Sequence, residues 1–327
     1  MDVPGLVDLQ VNGYKGVDFS SPDLNRQDFI TACEGILQSG TAAFLPTIIT
    51  SPAEVFEKNL KIIASALDEP QFRHRVLGIH LEGPFISATD GARGAHQAEW
   101  VVKPSIDFFD KLLDWADGKI KVLTIAAELD GADELARYAA EKKITVALGH
   151  QTAGEDDLDK LVLAGAKALT HLGNGTAKNL DRHKNTIWAG LANDQLTATI
   201  ITDGHHLPPA VIKTFIRAKG ISRCIVVSDG SPLVGLPAGR YKASGNDVVL
   251  DVSGRLYNPN TGYMVGSSAT MLQCMNFLAS LNLLSAEQLV QVGFFNPLKL
   301  IGVNANDIKP LVELSFDQRK NRFAVHK

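Results

Sequence analysis

Val76-Leu77-Gly78-Ile79-His80-Leu81-Glu82-Gly83-Pro84 is apolar and β-prone through its first half and stops abruptly on a carboxylate followed by Gly-Pro. An unpaired Glu at the tip of a buried strand is costly, so its natural partner is a cation. Three later segments end in a similar way. Thr145-Val146-Ala147-Leu148-Gly149-His150 and Ala168-Leu169-Thr170-His171 end in His, and Cys224-Ile225-Val226-Val227-Ser228-Asp229-Gly230 ends in Asp-Gly. Polar side chains at the C-terminal tips of several apolar strands are what a (β/α)8 barrel gathers into an active site. Glu82, His150 and His171 therefore read as ligands for zinc or another divalent transition metal. A lone His is more often a hydrogen-bonded core residue, so the set carries this reading and no single member does. His80 faces the same way as Glu82 and reads either as a partner behind the ligand or as packing.

Composition sets the outer limits. A chain of 327 residues, 45% hydrophobic and 21% charged, can bury a large core and has no signature of disorder. Its length suits one barrel with insertions. The net charge of −4, with acids and bases interspersed, argues against nucleic acid as a partner, and no Lys/Arg run suggests a membrane surface. Cys33, Cys224 and Cys274 lack metal-type spacing and are odd in number, which fits a reducing, cytoplasmic compartment. No signal peptide is expected, and no apolar run is long enough to span a bilayer.

Outward from the opening stretch, strand and helix alternate. Strands one to eight are expected over 4–13, 41–49, 76–82, 120–126, 145–149, 168–170, 198–202 and 224–228. Helices are expected over 25–39, 53–67, 105–115, 132–142, 155–164 and 208–219, with Gly40 closing the first and Ser51-Pro52 opening the second. This alternation predicts a parallel sheet wrapped by helices, an α/β chain of the (β/α)8 type. Two loops, 87–104 and 172–185, are long enough to serve the site. Residues 241–263 alternate and read as a β-hairpin inserted after strand eight. Helices follow over 269–284, 286–294 and 297–301, and Leu311 to Val325 suits one or two strands. The expected division is a barrel over 1–302 and a tail over 303–327.

The remaining polar positions each have a bland and a sharp reading. Asp229 either caps a turn or accepts a proton from metal-activated water. Of the adjacent His205 and His206, one faces the site. His96 is an exposed loop residue unless the loop folds over the mouth. Asn174 is a turn residue or a donor to a ligand. Arg182 sits in a basic cluster that is either solvated or reads a phosphate or other anion.

Taken in order, Gly5-Leu6-Val7-Asp8-Leu9-Gln10-Val11-Asn12-Gly13, His80-Leu81-Glu82-Gly83-Pro84-Phe85, Gly149-His150, Thr170-His171-Leu172, Asp203-Gly204-His205-His206, Val227-Ser228-Asp229 and Gly266-Ser267-Ser268-Ala269-Thr270-Met271 resemble the N-acetylglucosamine-6-phosphate deacetylase family of the amidohydrolase superfamily. The resemblance covers most of residues 4–302. It implies a hydrolase that removes the acetyl group of N-acetylglucosamine-6-phosphate in amino-sugar catabolism. It implies Glu82, His150 and His171 as ligands of one divalent ion, zinc by preference, and Asp229 as the catalytic acid/base. His96, with Ala95, matches the loop that meets the sugar and the acetamide carbonyl, which makes His96 the second catalytic residue. Asn174, Gly175 and His206, rather than His205, match substrate contacts. Met264, Val265, Gly266 and Ser267 match the segment that closes over the substrate. Arg182 falls on an arginine lent to a neighbouring subunit's phosphate site, which implies a homodimer.

The chain departs from the family pattern in three places. Gln10 and Asn12 stand where many amidohydrolases carry His-x-His, so one metal is expected rather than two. Asn174-Gly175-Thr176 replaces Asn-Ala-Met, and Arg182-His183-Lys184-Asn185 replaces Arg-x-Pro-Gly. An unphosphorylated or differently acylated amino sugar is therefore the alternative substrate. A non-catalytic sugar-binding barrel is a further alternative, against which the intact set of Glu82, His150, His171 and Asp229 argues. The family's N-terminal β-sandwich strands are not expected here, so any sandwich is reduced to the tail.

Overall fold

Eight parallel strands pair in sequence order: β1 Leu6–Val11, β2 Thr41–Ile49, β3 Ile79–Glu82, β4 Ile120–Ile125, β5 Thr145–Leu148, β6 Ala166–Leu169, β7 Thr197–Ile201 and β8 Cys224–Val227. They belong to a computed structural model that describes residues 1–243, 245–309 and 313–326. The sheet closes on itself where Val11 bridges Gly230 and Asn12 N donates to Gly230 O at 2.7 Å. Every residue of β2, β3, β5 and β8 is buried, as strands covered on both faces must be. Because all eight run the same way, their C-terminal tips share one end of the barrel.

The helices expected between the strands stand where their spacing predicts, and side-chain caps start two of them. In Ile106–Trp115 the Ser105 side chain accepts from Phe108 N, and Phe109 and Leu112 face the core. Asn25 caps Arg26–Gln38 in the same manner through Asp28 N. Inside the barrel, beneath the site, lies a polar layer. His80 Nδ1 donates to Leu9 O at 3.0 Å, its Nε2 lies 2.8 Å from Thr124 Oγ1, and Thr124 Oγ1 lies 2.8 Å from Thr170 Oγ1. Burial pulls the His80 imidazole down to about 4, so it stays neutral.

Several local expectations are corrected. Strand three begins at Ile79, not at 76, because Gly78 turns the chain at φ +139° and Val76 keeps only a single bridge to Phe44. Ser51 does not cap its helix; its hydroxyl turns back to Ile49 O, and Pro52 takes the cap position. The loop over 172–185 is followed by a short helix, Thr186–Ala192, that the sequence reading passed over. The insertion is a three-stranded antiparallel sheet rather than a hairpin, Gly239–Ala243, Asn246–Leu250 and Leu256–Tyr257. Near the C-terminus, residues 286–300 run as one helical stretch with a wide turn over Gln291–Phe295. The tail forms Glu313–Asp317 and Arg322–Val325, with Leu311 outside the described residues, and Asp2–Pro4 adds a third strand beside Glu313–Asp317. Among the described residues no helix is long and apolar enough to cross a membrane.

Candidate metal centre and active site

Glu82 ends β3, and His150 and His171 each follow the last residue of β5 and β6 by two. His150, His171 and Asp229 all adopt left-handed backbone, at φ +51°, +33° and +50°. For non-glycine residues that conformation costs on the order of 1 kcal/mol each and is typical of sites where the surroundings dictate it. The result is convergence. His150 Nε2 lies 3.2 Å and His171 Nε2 2.9 Å from Glu82 Oε1, and the two Nε2 atoms are 3.1 Å apart. All three side chains are buried, and among the described residues they form the His/Cys/Asp/Glu group able to hold a metal ion.

Hydrogen-bond chemistry tests whether a cation fits there. His150 Nδ1 faces Ala92 O at 2.9 Å, and a carbonyl only accepts, so Nδ1 carries the proton. Its Nε2 then presents a lone pair toward a carboxylate oxygen and a second imidazole nitrogen. The His150 lone pair, the His171 nitrogen and the Glu82 carboxylate converge inside a buried site, and one carboxylate plus two imidazoles is a donor set that fits a divalent transition metal. Burial pushes the Glu82 carboxyl up, but the two imidazoles beside it outweigh burial and hold Glu82 well below the usual range. The carboxylate is therefore present as an anion.

Strand β1 supplies a row of polar side chains at alternate positions. Gln10 Nε2 donates to Glu82 Oε1 at 2.7 Å and to Asp229 Oδ1 at 3.1 Å, and Asn12 Nδ2 donates to Asp229 Oδ1 at 2.7 Å. Two positions earlier, Asp8 accepts from Ser228 N at 3.1 Å and from the Ser228 hydroxyl, so it clamps the chain beside Asp229. Gln10 and Asn12 thus act as amide donors to the two carboxylates. Desolvation, with the Glu82 charge adding to it, raises the Asp229 carboxyl to about 6. That is a suitable range for a group that must both take and return a proton near neutrality.

A cavity of about 240 Å³ opens above this floor. Ala95, His96, Asn174, Gly175, His206, Met264, Val265 and Gly266 are among the residues that line it. His96 is buried, with Nδ1 2.8 Å from Thr50 Oγ1 and Nε2 3.9 Å from Glu82 Oε2. Burial and the neighbouring His150 hold its imidazole well below the usual range, so it is neutral. Asn174 Nδ2 donates to His171 O at 3.2 Å. Gly175 sits at φ +56°, where a Cβ would come within 2.9 Å of His150 Nδ1. His206 faces the cavity while His205 turns outward to Ser253 O. Ser267 lies behind the wall, its hydroxyl committed to Asp203. Arg182 is exposed and is not among the residues that line the cavity; its carbonyl accepts from Trp188 Nε1 at 3.1 Å.

Sequence reasoning missed Thr50, Thr176, Asp203 and Tyr263. Tyr263 lines the cavity and donates to Asp90 at 3.0 Å, which joins the insertion to the loop after β3 across the mouth. Asp203 carried a signal, as the first residue of Asp203-Gly204-His205-His206 at a strand tip. Thr50 and Thr176 carried none.

No family model matches the chain. Individual proteins do. An N-acetylglucosamine-6-phosphate deacetylase of Bos taurus is 33% identical over 312 residues, 92% of this chain and 74% of that protein. An N-acetylgalactosamine-6-phosphate deacetylase of Escherichia coli O157:H7 is 27% identical over 94% of this chain and 80% of its own length. A mutant N-acetyl-D-glucosamine-6-phosphate deacetylase of Mycobacterium smegmatis, solved in complex with N-acetyl-D-glucosamine-6-phosphate, superposes with a TM-score of 0.86 at 25% identity, over 99% of this chain and 87% of that one.

Proposed function

Because the chain belongs to the N-acetylglucosamine-6-phosphate deacetylase family, we propose that it hydrolyses the acetamide of N-acetylglucosamine-6-phosphate to glucosamine-6-phosphate and acetate. The observation that carries this reading is the convergence of Glu82, His150 and His171 beside Asp229 on the floor of one cavity. A divalent ion held by those three residues supplies Lewis acidity toward water and the amide carbonyl, and the two-imidazole, one-carboxylate set suits zinc.

The chain's own residues do the rest. Asp229 accepts the proton of the attacking water on Oδ2, since Oδ1 is occupied by Gln10 and Asn12. It then returns that proton to the departing amine. With Thr50 at Nδ1, His96 is able to donate from Nε2 to the oxygen that becomes negative when the amide carbon is attacked. Ala95, Asn174, Gly175, His206 and the 264–267 segment surround the sugar, with Ser267 supporting from behind. Arg182, which does not line the cavity, would read the phosphate from a second subunit, and the working form is then a homodimer. The interspersed charges suit a small-molecule substrate rather than nucleic acid, and the free buried cysteines suit the cytoplasm.

A second reading has one observation in its favour: no lysine or arginine lines the cavity among the described residues. Under it, the substrate is an unphosphorylated or otherwise altered N-acyl amino sugar, and the E. coli relative makes the C4 epimer a natural comparison. Acetate release by the metal-loaded protein decides. N-acetylglucosamine-6-phosphate should show the highest kcat/KM, above N-acetylgalactosamine-6-phosphate and above free N-acetylglucosamine. A reversed order would overturn the phosphosugar assignment, and no release from any of the three would overturn the deacetylase itself.

A further inference from the structure

Asp203 follows β7 by two residues, and its side chain is 1% exposed. Its carboxylate accepts four hydrogen bonds. Oδ1 takes His205 N at 2.8 Å and His206 N at 2.9 Å; Oδ2 takes His206 Nδ1 at 2.7 Å and Ser267 Oγ at 2.9 Å. A carboxylate offers about four lone-pair directions, so no acceptor site remains for a ligand. Whatever Asp203 does for the reaction, it does through its neighbours.

Those neighbours belong to the cavity. His206 lines it, and Ser267 follows Gly266, which also lines it. Ser267 is tied to the base as well: its N donates to Asp229 O at 2.9 Å and its O accepts from Ser231 N at 2.8 Å. The turn that brings His206 back onto Asp203 needs Gly204, at φ +85°, where a Cβ would come within 2.8 Å of the Phe277 ring. Burial works against ionisation of Asp203, but the hydrogen bonds it accepts from His206 and His205 prevail and hold it well below the usual carboxylate range. An anionic acceptor at Nδ1 requires His206 to carry a proton there, which leaves Nε2 as the free nitrogen of the ring.

We propose that Asp203 is a positioning residue of the sugar subsite: it fixes His206 in the Nδ1–H tautomer and locks it to the Ser267 segment, so that Nε2 accepts a hydrogen bond from a sugar hydroxyl. The ligand in this proposal rests on the deacetylase reading; the tautomer does not. Asp203→Asn is the informative change. Its Oδ1 still accepts both backbone N–H groups, but its amide presents an N–H to His206 Nδ1 and reverses the ring's tautomer.

Two measurements test this. Nitrogen-15 NMR of histidine-labelled protein, with His206→Gln to assign the signal, should show Nδ1 protonated in the parent protein and Nε2 protonated in Asp203→Asn. With N-acetylglucosamine-6-phosphate, Asp203→Asn should raise KM by about tenfold or more, the worth of one hydrogen bond, with a smaller change in kcat. On a His206→Gln background the same change should leave KM where it was. An Nε2–H tautomer in the parent protein overturns the proposal, even if the variant fails to fold. Full additivity of the two substitutions in KM also overturns it. If the parent releases no acetate, the deacetylase reading falls with the kinetic arm, and the NMR result still decides what Asp203 does.

Discussion

At Asp229, Gln10 Nε2 and Asn12 Nδ2 both donate to Oδ1, and among the described residues Oδ2 has no hydrogen-bond donor. One oxygen is held by amides, and the other is left open for the proton transfer proposed above. In Asp229→Asn the retained oxygen can keep both amide donors while the new amide nitrogen cannot accept a proton. Metal content should therefore match the parent, and kcat should fall by about 100-fold or more, the scale of general acid–base catalysis; near-parental kcat would remove Asp229 from that role. Gly175 makes a different prediction. A methyl group there would strain φ +56° and press on the His150 ring. Gly175→Ala should weaken metal affinity about tenfold or more, comparable to loss of a partner behind a ligand, measured by competition with a chromogenic chelator. The tips Glu82, His150, His171 and Asp229 were legible in the sequence because each stands at the end of an apolar run. Thr50 and Tyr263 were not, because their partners, His96 and Asp90, are 46 and 173 residues away in the chain.

Strand β1 shows how one element can organise a site without supplying a metal ligand. Its alternate residues Asp8, Gln10 and Asn12 point the same way. Asp8 holds the chain at Ser228, and the two amides hold Asp229. The period was readable; the targets were not, since Ser228 and Asp229 lie just after β8, about 220 residues later, and meet β1 only when the barrel closes. Desolvation raises the Asp8 carboxyl from 3.8 to about 7, against hydrogen bonds from Ser228 and Gln10 that pull the other way. The folded state then binds this proton more tightly than the unfolded chain does. Asp8 favours folding below about pH 4 and loses that advantage as pH rises toward about 7. Asp8→Asn is neutral throughout, so the parent-minus-variant difference in Tm should fall steadily over that interval and level off above it. A difference that stays flat, or rises, would mean that Asp8 is ionised in the fold at lower pH. The helix Thr186–Ala192 escaped notice for an ordinary reason: it has seven residues with Gly190 inside, and its one clear signal is Asn185, which caps Ile187 N and Trp188 N.

For the whole molecule, the barrel order was legible because β and α periods alternate, whereas the pairing of Asp2–Pro4 with Glu313–Asp317 joins segments some 310 residues apart and leaves no local trace. A metal held by Glu82, His150 and His171 would link distant strands as well. These three residues come from β3 and from the turns after β5 and β6, so an ion bound only by the folded chain would add its binding free energy to stability. Chelation should abolish acetate release and lower Tm by several degrees, and zinc should restore both; an unchanged Tm would mean the donors are preorganised without the ion. The phosphate raises a question that one copy of the chain does not answer. The cavity wall carries no lysine or arginine among the described residues, while Arg182 stands exposed on the loop after β6, near the half-exposed Trp188. A dianionic phosphate needs a strong donor, and a guanidinium offers a planar fork for it. If a second subunit lends Arg182, three results should occur together. The protein should sediment as a dimer at assay concentration. Arg182→Ala should raise KM for N-acetylglucosamine-6-phosphate by about tenfold or more, because a charge-assisted bond to phosphate is lost. The same variant should act on free N-acetylglucosamine much as the parent does, since that sugar has no phosphate to read. A monomer with full activity, or an Arg182→Ala loss equal for both sugars, would exclude the borrowed arginine and favour the unphosphorylated substrate.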